Sequence, residues 1–264
     1  MVKRPVLHVD VQGDGPDLVM LHGWGMHSGI WSNWARQLGQ CFRIHLVDLP
    51  GHGDSPCQGQ GELDDWAAAV QEVVPERAWW LGWSLGGLVA LAAAETHPGA
   101  IRGLTLLATT PRFVATAGWK QAVDAAVFDQ FAKQLQADVE RTLVRFLSLQ
   151  VKGAEHGGET LRSLRSGLRQ KPQPDGDALR TGLRFLQQAD LRHVLAAPEL
   201  PLFWLLGERD TLVPARVRHE FPAVQSSIIS GAGHAPFLSH PEQCTAQLKD
   251  WLSTDKGCRQ HAAG

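Results

Sequence analysis

The sequence is poor in residues that carry redox or metal chemistry. Its 264 residues include no tyrosine and only four cysteines. Cys41, Cys57, Cys244 and Cys258 show neither Cys-x-x-Cys pairing nor the spacing of metal ligands, so we expect no metal and no cofactor. Cys41 stands just before a strand-like segment, and we expect it to be a buried core thiol.

A strong charge of either sign is also missing. Lysine and arginine number 25 against 27 acidic residues, a formal net charge of -2, which excludes a strong global attraction to nucleic acid or to a membrane. Residues 1–5 lack the apolar run of a secretory signal, and no stretch reaches the length of a membrane span. We therefore expect a cytoplasmic protein that binds neither nucleic acid nor membranes. A monomer is a separate expectation.

The composition that remains is typical of one α/β domain. Hydrophobic residues make up 44% of the chain and charged residues 20%, which is enough to bury a large core. Strand-like segments alternate with helical stretches, and this alternation predicts a mostly parallel sheet with helices on both faces. The predicted strands lie near residues 6–11, 17–21, 42–47, 78–83, 103–107, 202–206 and 225–229.

Residues 112–190 break the alternation. They are rich in Leu, Ala, Gln and Arg and contain no clear strand, which predicts a helical cap inserted in a core made of residues 1–111 and 191–264. An insertion at the carboxyl edge of a sheet covers the crevice where ligands bind. We therefore expect the apolar face of the cap to line a substrate channel.

Ser84 lies in the motif Gly-Trp-Ser-Leu-Gly at residues 82–86, between an apolar strand and an Ala-rich helix. Glycines two residues to either side leave room for a sharp strand-to-helix turn, which projects the hydroxyl from the end of the sheet. The helix that follows aims unpaired N–H groups and a partial positive charge at the same place. The pattern predicts a nucleophile elbow, against the alternative of a Gly-rich packing contact.

His234 and Asp210 stand where a base and an acid would activate this serine. Asp210 follows a predicted strand, and His234 lies in a Gly-rich loop after the last strand. A serine hydroxyl needs an imidazole to take its proton, and the imidazole needs a carboxylate to orient it. Glu208 is the alternative acid, and we favour Asp210 because of its position in the loop. The chain order Ser84, Asp210, His234 is typical of α/β-hydrolases.

We expect the oxyanion hole to combine two backbone N–H groups, that of Leu85, just after the nucleophile, and that of Trp24, after an early strand. The Trp24 ring is expected to wall the acyl pocket, and plain core packing is its alternative role. Residues 48–55 form another strand-to-loop junction, which we interpret as a structural turn network. His52 lies in this network, and its place in the chain order argues against a role as the base.

The predicted cap carries an uneven charge. Between Arg141 and Lys171, seven cations face two acids, a local charge of +5. Two arginine pairs stand four residues apart, so each pair shares one helix face. A solvated face and a dock for an acidic partner are both open interpretations. The cations are Arg141, Arg145, Lys152, Arg162, Arg165, Arg169 and Lys171, and the acids are Glu155 and Glu159.

Four segments together resemble the pimeloyl-acyl-carrier-protein methyl ester carboxylesterases of biotin synthesis. They are LHGWG at 21–25, GWSLGG at 82–87, RFLSLQ at 145–150 and GHAPFLSHP at 233–241. The similarity covers nearly the whole chain, including the cap. It implies an α/β-hydrolase fold and hydrolysis of the methyl ester on a pimeloyl group carried by acyl carrier protein, through a Ser-His-Asp triad and an acyl-enzyme.

The same resemblance implies a role for each site residue. Ser84, Asp210 and His234 form the triad, and Trp24 and Leu85 form the oxyanion hole. The residues implied in substrate binding are Trp24, Ser84, Leu85, Phe146, Leu147, Ser148, Leu149, Gln150 and His234. Arg141 and Arg145 match the family's carrier-contacting arginines, and the second pair is either Arg165 with Arg169 or Arg162 with Arg165.

Two other functions remain open at this stage. A broad short-chain carboxylesterase, acting on small esters without a carrier partner, would have the same triad. A non-catalytic ligand receptor on the hydrolase fold would keep the architecture without turnover. An aspartate-nucleophile dehalogenase is excluded, because a serine occupies the elbow.

Overall fold

The structure, a computed structural model, describes residues 6–57, 59 and 61–253. Seven strands form one sheet in the order β1-β3-β2-β4-β5-β6-β7. Strand β1 runs antiparallel to β3, and the other pairings are parallel. The strands are β1 (Val9–Gln12), β2 (Asp17–Leu21), β3 (Arg43–Val47), β4 (Ala78–Trp83), β5 (Ile101–Leu107), β6 (Leu202–Gly207) and β7 (Gln225–Ile229).

The strand positions follow the sequence prediction closely, with shifts at the ends. Strand β1 covers 9–12 where 6–11 was expected, and β5 begins two residues earlier than expected. The expectation of a buried Cys41 is wrong, because Cys41 is exposed. Strand β3 begins only at Arg43, and Cys41 lies in the preceding turn, where its N–H donates to Leu38 O at 2.9 Å.

Helices cover both faces of the sheet. They are α1 (Ser32–Leu38), α2 (Leu63–Gln71), α3 (Leu85–Thr96), α4 (Ala125–Ala137), α5 (Val139–Gln150), α6 (Gly157–Leu168), α7 (Gly176–Gln188), α8 (Arg192–Ala196), α9 (Pro236–Ser239) and α10 (Pro241–Ser253). Short 3-10 helices lie at Ser28–Trp31, Pro98–Ala100 and Ala215–Glu220. No helix in the described ranges is long and apolar enough to cross a bilayer.

Alternate strand residues supply two apolar clusters, one on each face of the sheet. In β4, Trp80 joins the cluster that contains α3, whereas Trp79 and Trp83 join the cluster that contains α10. In β6, Trp204 and Phe203 divide in the same way. Successive side chains of a strand point to opposite faces, and central strands covered on both faces are therefore apolar throughout. The ten tryptophans contribute much of this core.

The segment between β5 and β6 holds α4 to α8, and the first four of these helices lie within the region expected to form the cap. Aspartates start three of these helices: the carboxylates of Asp124, Asp138 and Asp175 accept hydrogen bonds from N–H groups of the first turn. At the base of the segment, Asp190 binds Arg112 Nη1 at 2.6 Å and Arg192 Nε at 2.7 Å. This carboxylate joins the chain before α4 to the start of α8, at the two ends of the expected cap. The domain boundaries at 111/112 and 190/191 stay a prediction.

Candidate active site

Ser84 occupies a strained turn between β4 and α3. Its backbone has φ 53° and ψ −116°, a conformation that a residue with a side chain adopts only when its surroundings enforce it. Both flanking glycines are required by close backbone contacts. A Cβ on Gly82 would lie 2.5 Å from Gly86 O, and a Cβ on Gly86 would lie 2.4 Å from Leu21 O. The end of β2 therefore packs directly against the start of α3, beside the serine.

Ser84, His234 and Asp210 form one hydrogen-bonded chain. His234 Nε2 lies 2.9 Å from Ser84 Oγ, and His234 Nδ1 lies 2.7 Å from Asp210 Oδ2. With the proton on Nδ1, the ring donates to the carboxylate and leaves Nε2 free to accept the serine proton. The three residues are 2%, 1% and 5% exposed, respectively. This arrangement can activate the serine hydroxyl as a nucleophile in a buried site.

The loop after β6 orients the carboxylate of Asp210. Its Oδ1 accepts hydrogen bonds from the N–H groups of Leu212 at 2.8 Å and Val213 at 3.0 Å. One oxygen is thus held by the backbone, which leaves the other to face His234. The short Leu-Val stretch after the aspartate is what folds back to supply these donors.

Glu208, the alternative acid, lies elsewhere in the same loop region. Its Oε2 accepts from Gly231 N at 2.8 Å and from Ser230 Oγ at 3.0 Å. The Gly231 hydrogen bond is the main cause that lowers the pKa of Glu208. Glu208 therefore holds the backbone of the loop that carries His234 and does not contact the imidazole. Asp210 is the carboxylate that contacts it.

Two contacts that the sequence analysis did not identify hold the backbone of His234. Trp83 Nε1 donates to His234 O at 2.7 Å, and His234 N donates to Gln150 O at 3.0 Å. The first contact comes from the core and the second from α5. The position of Trp83 next to the nucleophile in the motif was the only sequence feature that could have indicated its role. No sequence pattern identifies the backbone carbonyl of Gln150 as a hydrogen-bond acceptor.

Leu85 and Trp24, the two expected oxyanion donors, lie close to the same residue of the cap. Leu85 is the first residue of α3, so its N–H is among those without a partner inside the helix. Trp24 is 1% exposed, and its indole Nε1 donates to Leu179 O at 2.8 Å. Both side chains approach Gly182 of α7, where an added Cβ would lie 2.9 Å from Leu85 and 3.0 Å from Trp24. Their role in binding an oxyanion remains a prediction.

The five expected acyl-chain contacts on α5 do not share one face. Phe146 packs edge-on against the Trp24 ring with centroids 4.9 Å apart, and the Gln150 carbonyl contacts the His234 loop. Leu147 belongs to the apolar cluster on the other face of the sheet, and Leu149 is half-buried. Ser148 is exposed and donates to Val144 O of its own helix at 2.9 Å. The structure therefore brings Phe146 and Gln150 to the site and leaves Ser148 outside it.

Residues 48–55 form a buried polar network, as the sequence interpretation expected. Burial lowers the pKa of His22 to about 3 and that of His52 to about 4. Burial alone would raise the pKa of Asp48, but His22 and Lys171 outweigh it and hold that pKa well below its usual range. His52 Nδ1 contacts Pro50 O at 3.0 Å, within the turn. These groups support the edge of the sheet rather than Ser84.

Lys171 belongs to this network, which corrects the charge assigned to the cap. Its Nζ lies 2.8 Å from Asp48 Oδ2, 2.9 Å from Asp54 Oδ2 and 3.2 Å from Asp10 Oδ2. Although burial lowers the pKa of Lys171, these carboxylates raise it above its ordinary value overall. Lys171 is therefore neutralised internally and is not a free cation for docking.

The arginines expected to contact a carrier lie on exposed surfaces of α5 and α6. Arg141, Arg145, Arg162, Arg165 and Arg169 are all exposed. Arg165 and Arg169 line a groove of about 450 Å³ between these helices, together with Leu143 and Val144 of α5. Arg145 also lies over the Phe131 ring, 5.9 Å from its centroid. The choice between the two downstream pairs stays open.

Among the described residues, two clusters bring three metal-binding side chains together. One consists of His8, Asp48 and Asp54, and the other of Glu155, His156 and His240. The Lys171 ammonium already lies between Asp48 and Asp54, so the first cluster is neutralised. Neither cluster includes Ser84 or His234.

Comparison with known proteins places this geometry in a family. The model of the alpha/beta hydrolase fold matches residues 16–241. The chain belongs to the alpha/beta hydrolase family. The predicted fold class is confirmed, with a mostly parallel sheet covered by helices on both faces.

Curated relatives of this hydrolase confirm the resemblance found in the sequence. A protein of Methylococcus capsulatus is 42% identical over 252 residues, covering 94% of this chain and 99% of the relative. A protein of Xanthomonas campestris is 44% identical with the same coverage. Both are named pimeloyl-acyl-carrier-protein methyl ester esterase.

Solved structures agree on the fold of the hydrolase. An esterase from Exiguobacterium antarcticum superposes with a TM-score of 0.85, covering 95% of this chain and 98% of that one at 21% identity. A hydrolase from Oleispira antarctica gives a TM-score of 0.83 at 18% identity, covering 96% of both chains. At such identities the likeness establishes the architecture, and function must be argued from the site.

Proposed function

We propose that the protein is a serine carboxylesterase of biotin synthesis, which hydrolyses the methyl ester of a pimeloyl group carried by acyl carrier protein. The observation that carries the proposal is the buried chain of hydrogen bonds from Ser84 through His234 to Asp210, at 2.9 and 2.7 Å. The name of relatives that are 42% to 44% identical over 94% of the chain supports the substrate. The proposal includes a monomeric, cytoplasmic protein and needs no cofactor.

In the first half-reaction, His234 Nε2 takes the proton of Ser84 as Oγ attacks the ester carbonyl carbon. The carbonyl oxygen becomes an oxyanion, which the N–H groups of Leu85 and Trp24 stabilise. Collapse of this intermediate breaks the bond to the methoxy oxygen. His234 returns its proton to that oxygen, so methanol leaves and an acyl-enzyme on Ser84 remains.

In the second half-reaction, water replaces methanol. His234 takes a proton from the water as its oxygen attacks the acyl carbon, and it returns that proton to Ser84 Oγ when the acyl bond breaks. Asp210 stabilises the imidazolium in both steps. The products are the free carboxylate of the pimeloyl chain, still on its carrier, and the regenerated enzyme.

The cap supports the proposed substrate in two ways. Trp24 and Phe146 form an apolar wall beside the serine, which suits a methylene chain. The exposed arginines of α5 and α6 are suited to an acidic carrier protein, since complementary charge steers encounter and fixes orientation. Because Ser84 is only 2% exposed, we propose that part of the cap moves to admit the substrate.

Growth of a biotin-requiring strain that lacks this esterase tests the proposal. The wild-type gene should restore growth without biotin, and Ser84→Ala should not, although it should fold and accumulate normally. A phosphonate should label Ser84 alone. Failure of the wild-type gene, combined with a burst of p-nitrophenol from a small ester, would favour a broad carboxylesterase without a carrier. Absence of both rescue and turnover would favour a ligand receptor.

A further inference from the structure

The second metal-binding cluster joins the cap to the loop of the candidate base. Glu155 and His156 belong to the turn between α5 and α6, and His240 ends α9, six residues after His234. One ligand atom from each side chain lies within 4.8 Å of the others. The rings of His156 and His240 are 5.8 Å apart between centroids, with an angle of 61° between their planes. None of the three has a part in the proposed ester chemistry.

The spacing is close to what a metal ion requires. Zinc with nitrogen and oxygen ligands at about 2.1 Å in a tetrahedron holds those atoms roughly 3.4 Å apart. Side-chain rotations that close the cluster by little more than about 1 Å would reach that geometry. The side chains of Glu155 and His156 are about half exposed, at 50% and 56%. Their ion-pair partners, Arg209 and Glu159, are solvent-exposed as well, so we expect both side chains to be able to make this adjustment.

Several contacts place the ligands in advance. Ser239 Oγ lies 2.8 Å from His240 Nδ1, which leaves Nε2 for a metal, in the way that outer hydrogen bonds commonly orient metal-binding imidazoles. His156 adopts φ 55° at the start of α6, a left-handed conformation that is uncommon for residues other than glycine. One histidine is thus oriented by a neighbouring hydroxyl, and the other begins its helix in a defined backbone conformation.

Gly231 leaves space for the carboxylate of Glu155 because it has no side chain. Glu155 N donates to Gly231 O at 2.9 Å, and a Cβ on Gly231 would lie 2.5 Å from Glu155 Oε2. Only a glycine leaves that space for the carboxylate. The Oε1 atom pairs with Arg209 Nη2 at 2.9 Å, a half-exposed ion pair that contributes little to stability. The other oxygen remains for a metal.

We propose that Glu155, His156 and His240 form a site for a transition-metal dication such as Zn²⁺, completed by water, which clamps the cap to the loop that carries His234. Two imidazoles and one carboxylate suit zinc and its neighbours, whereas calcium and magnesium prefer sites made of oxygen alone. The bound ion would add a direct bond between the 155–156 turn and His240. The ion has no part in the ester chemistry.

Metal binding is tested on the full-length, metal-free protein by titration calorimetry with zinc chloride at pH 7.5. Two matched variants keep the local structure: His156→Asn, because asparagine tolerates the left-handed conformation, and Glu155→Gln, which keeps the side-chain size. The control is His193→Asn, which also replaces a surface histidine by asparagine. His193 Nε2 lies 2.6 Å from Glu95 Oε1, so this pair offers two metal ligands rather than three.

We expect the affinity for zinc to fall at least tenfold in His156→Asn and severalfold in Glu155→Gln, and to remain unchanged in the control. Equal affinity in all four proteins would overturn the site, because other residues would then hold the ion. Binding should also be unchanged in Ser84→Ala. The test of the metal site is therefore independent of the proposed esterase function.

Turnover tests the clamp, and this part rests on the proposed function. A bound ion that holds the cap against the His234 loop should slow substrate entry to the buried serine, so saturating zinc should lower p-nitrophenyl ester turnover severalfold in the wild-type protein. The ratio of rates with and without zinc should return to one in His156→Asn. An unchanged wild-type rate, or the same loss in the variant, would overturn the clamp.

Discussion

The indole Nε1 of Trp83 donates a 2.7 Å hydrogen bond to the carbonyl oxygen of His234. The residue just before the candidate nucleophile thus holds the candidate base, 151 positions further along the chain. From the other side, His234 N donates to Gln150 O. Core and cap together fix the backbone from which the imidazole reaches Ser84.

We predict that Trp83→Phe lowers kcat about tenfold with little change in KM, because one lost buried hydrogen bond is worth about 1–3 kcal/mol and acts here on the position of the base. Steady-state kinetics with a small ester measure this. Trp79→Phe in the same strand is the control, since Trp79 Nε1 has no hydrogen-bond partner among the residues that the structure describes. Equal losses in both variants would show a packing effect and remove the positioning role.

Asp210→Asn should lower turnover by about three to four orders of magnitude, because the amide favours the wrong tautomer of the imidazole. Glu208→Gln should stay within severalfold of wild type, since Glu208 contacts Ser230 and Gly231 instead. The two variants are compared with the same ester after circular dichroism has shown that both are folded. If Glu208→Gln were the more damaging change, the acid would be misassigned.

Charge reversal of Arg141 and Arg145 should raise KM for the carrier-bound ester and leave a small free ester nearly unaffected. Both arginines are exposed on α5, and rim charges act on encounter and orientation rather than on chemistry. Raising salt from about 0.05 to 0.5 M should weaken the carrier reaction in parallel.

The control for this pair is Arg77→Glu, an exposed arginine just before β4, at the end of the sheet opposite to Ser84. It should change neither substrate's KM. Parallel losses on both substrates would show that the α5 arginines hold the cap together, and no change on either would leave them as a solvated face.

Lys171→Met should destabilise the protein without selectively affecting the carrier-bound substrate. The substitution leaves the carboxylate of Asp48, which is fully buried, without its ammonium partner, at a cost of about 3 kcal/mol. Urea unfolding at pH 7 measures this loss. The double variant with Asp48→Asn should recover part of the stability, and a fully additive loss would contradict the coupling.

Stability should fall as the pH drops from 6.5 to 4.5. His22 and His52 have folded pKa values lowered to about 3 and about 4, from 6.5, so across this window the unfolded chain binds protons that the folded protein does not. The free energy of unfolding should decrease by roughly 2 kcal/mol per pH unit. His52→Gln should about halve this slope, whereas exposed His193→Gln should not. If the free energy of unfolding of the wild-type protein did not change over this pH range, the prediction would be wrong.

Local sequence patterns were enough to predict much of the fold. Apolar strand segments and the glycines around Ser84 depend on neighbours within a few residues, because strand periodicity and backbone strain are local properties. The chain order Ser84, Asp210, His234 can be recognised from where each residue stands relative to the predicted strands and helices. For this reason, the strands of the sheet and the candidate triad could be predicted before any contact was known.

Tertiary structure decided what each charged or polar group contacts. Lys171 counted toward the +5 charge of the cap in the sequence, yet it binds Asp48, 123 residues away. Asp210 and Glu208 are two residues apart, and only the path of the loop turns one to His234 and the other to Gly231. Hydrogen bonds and ion pairs act over about 3 Å, so their partners depend on how distant segments pack rather than on their order along the chain.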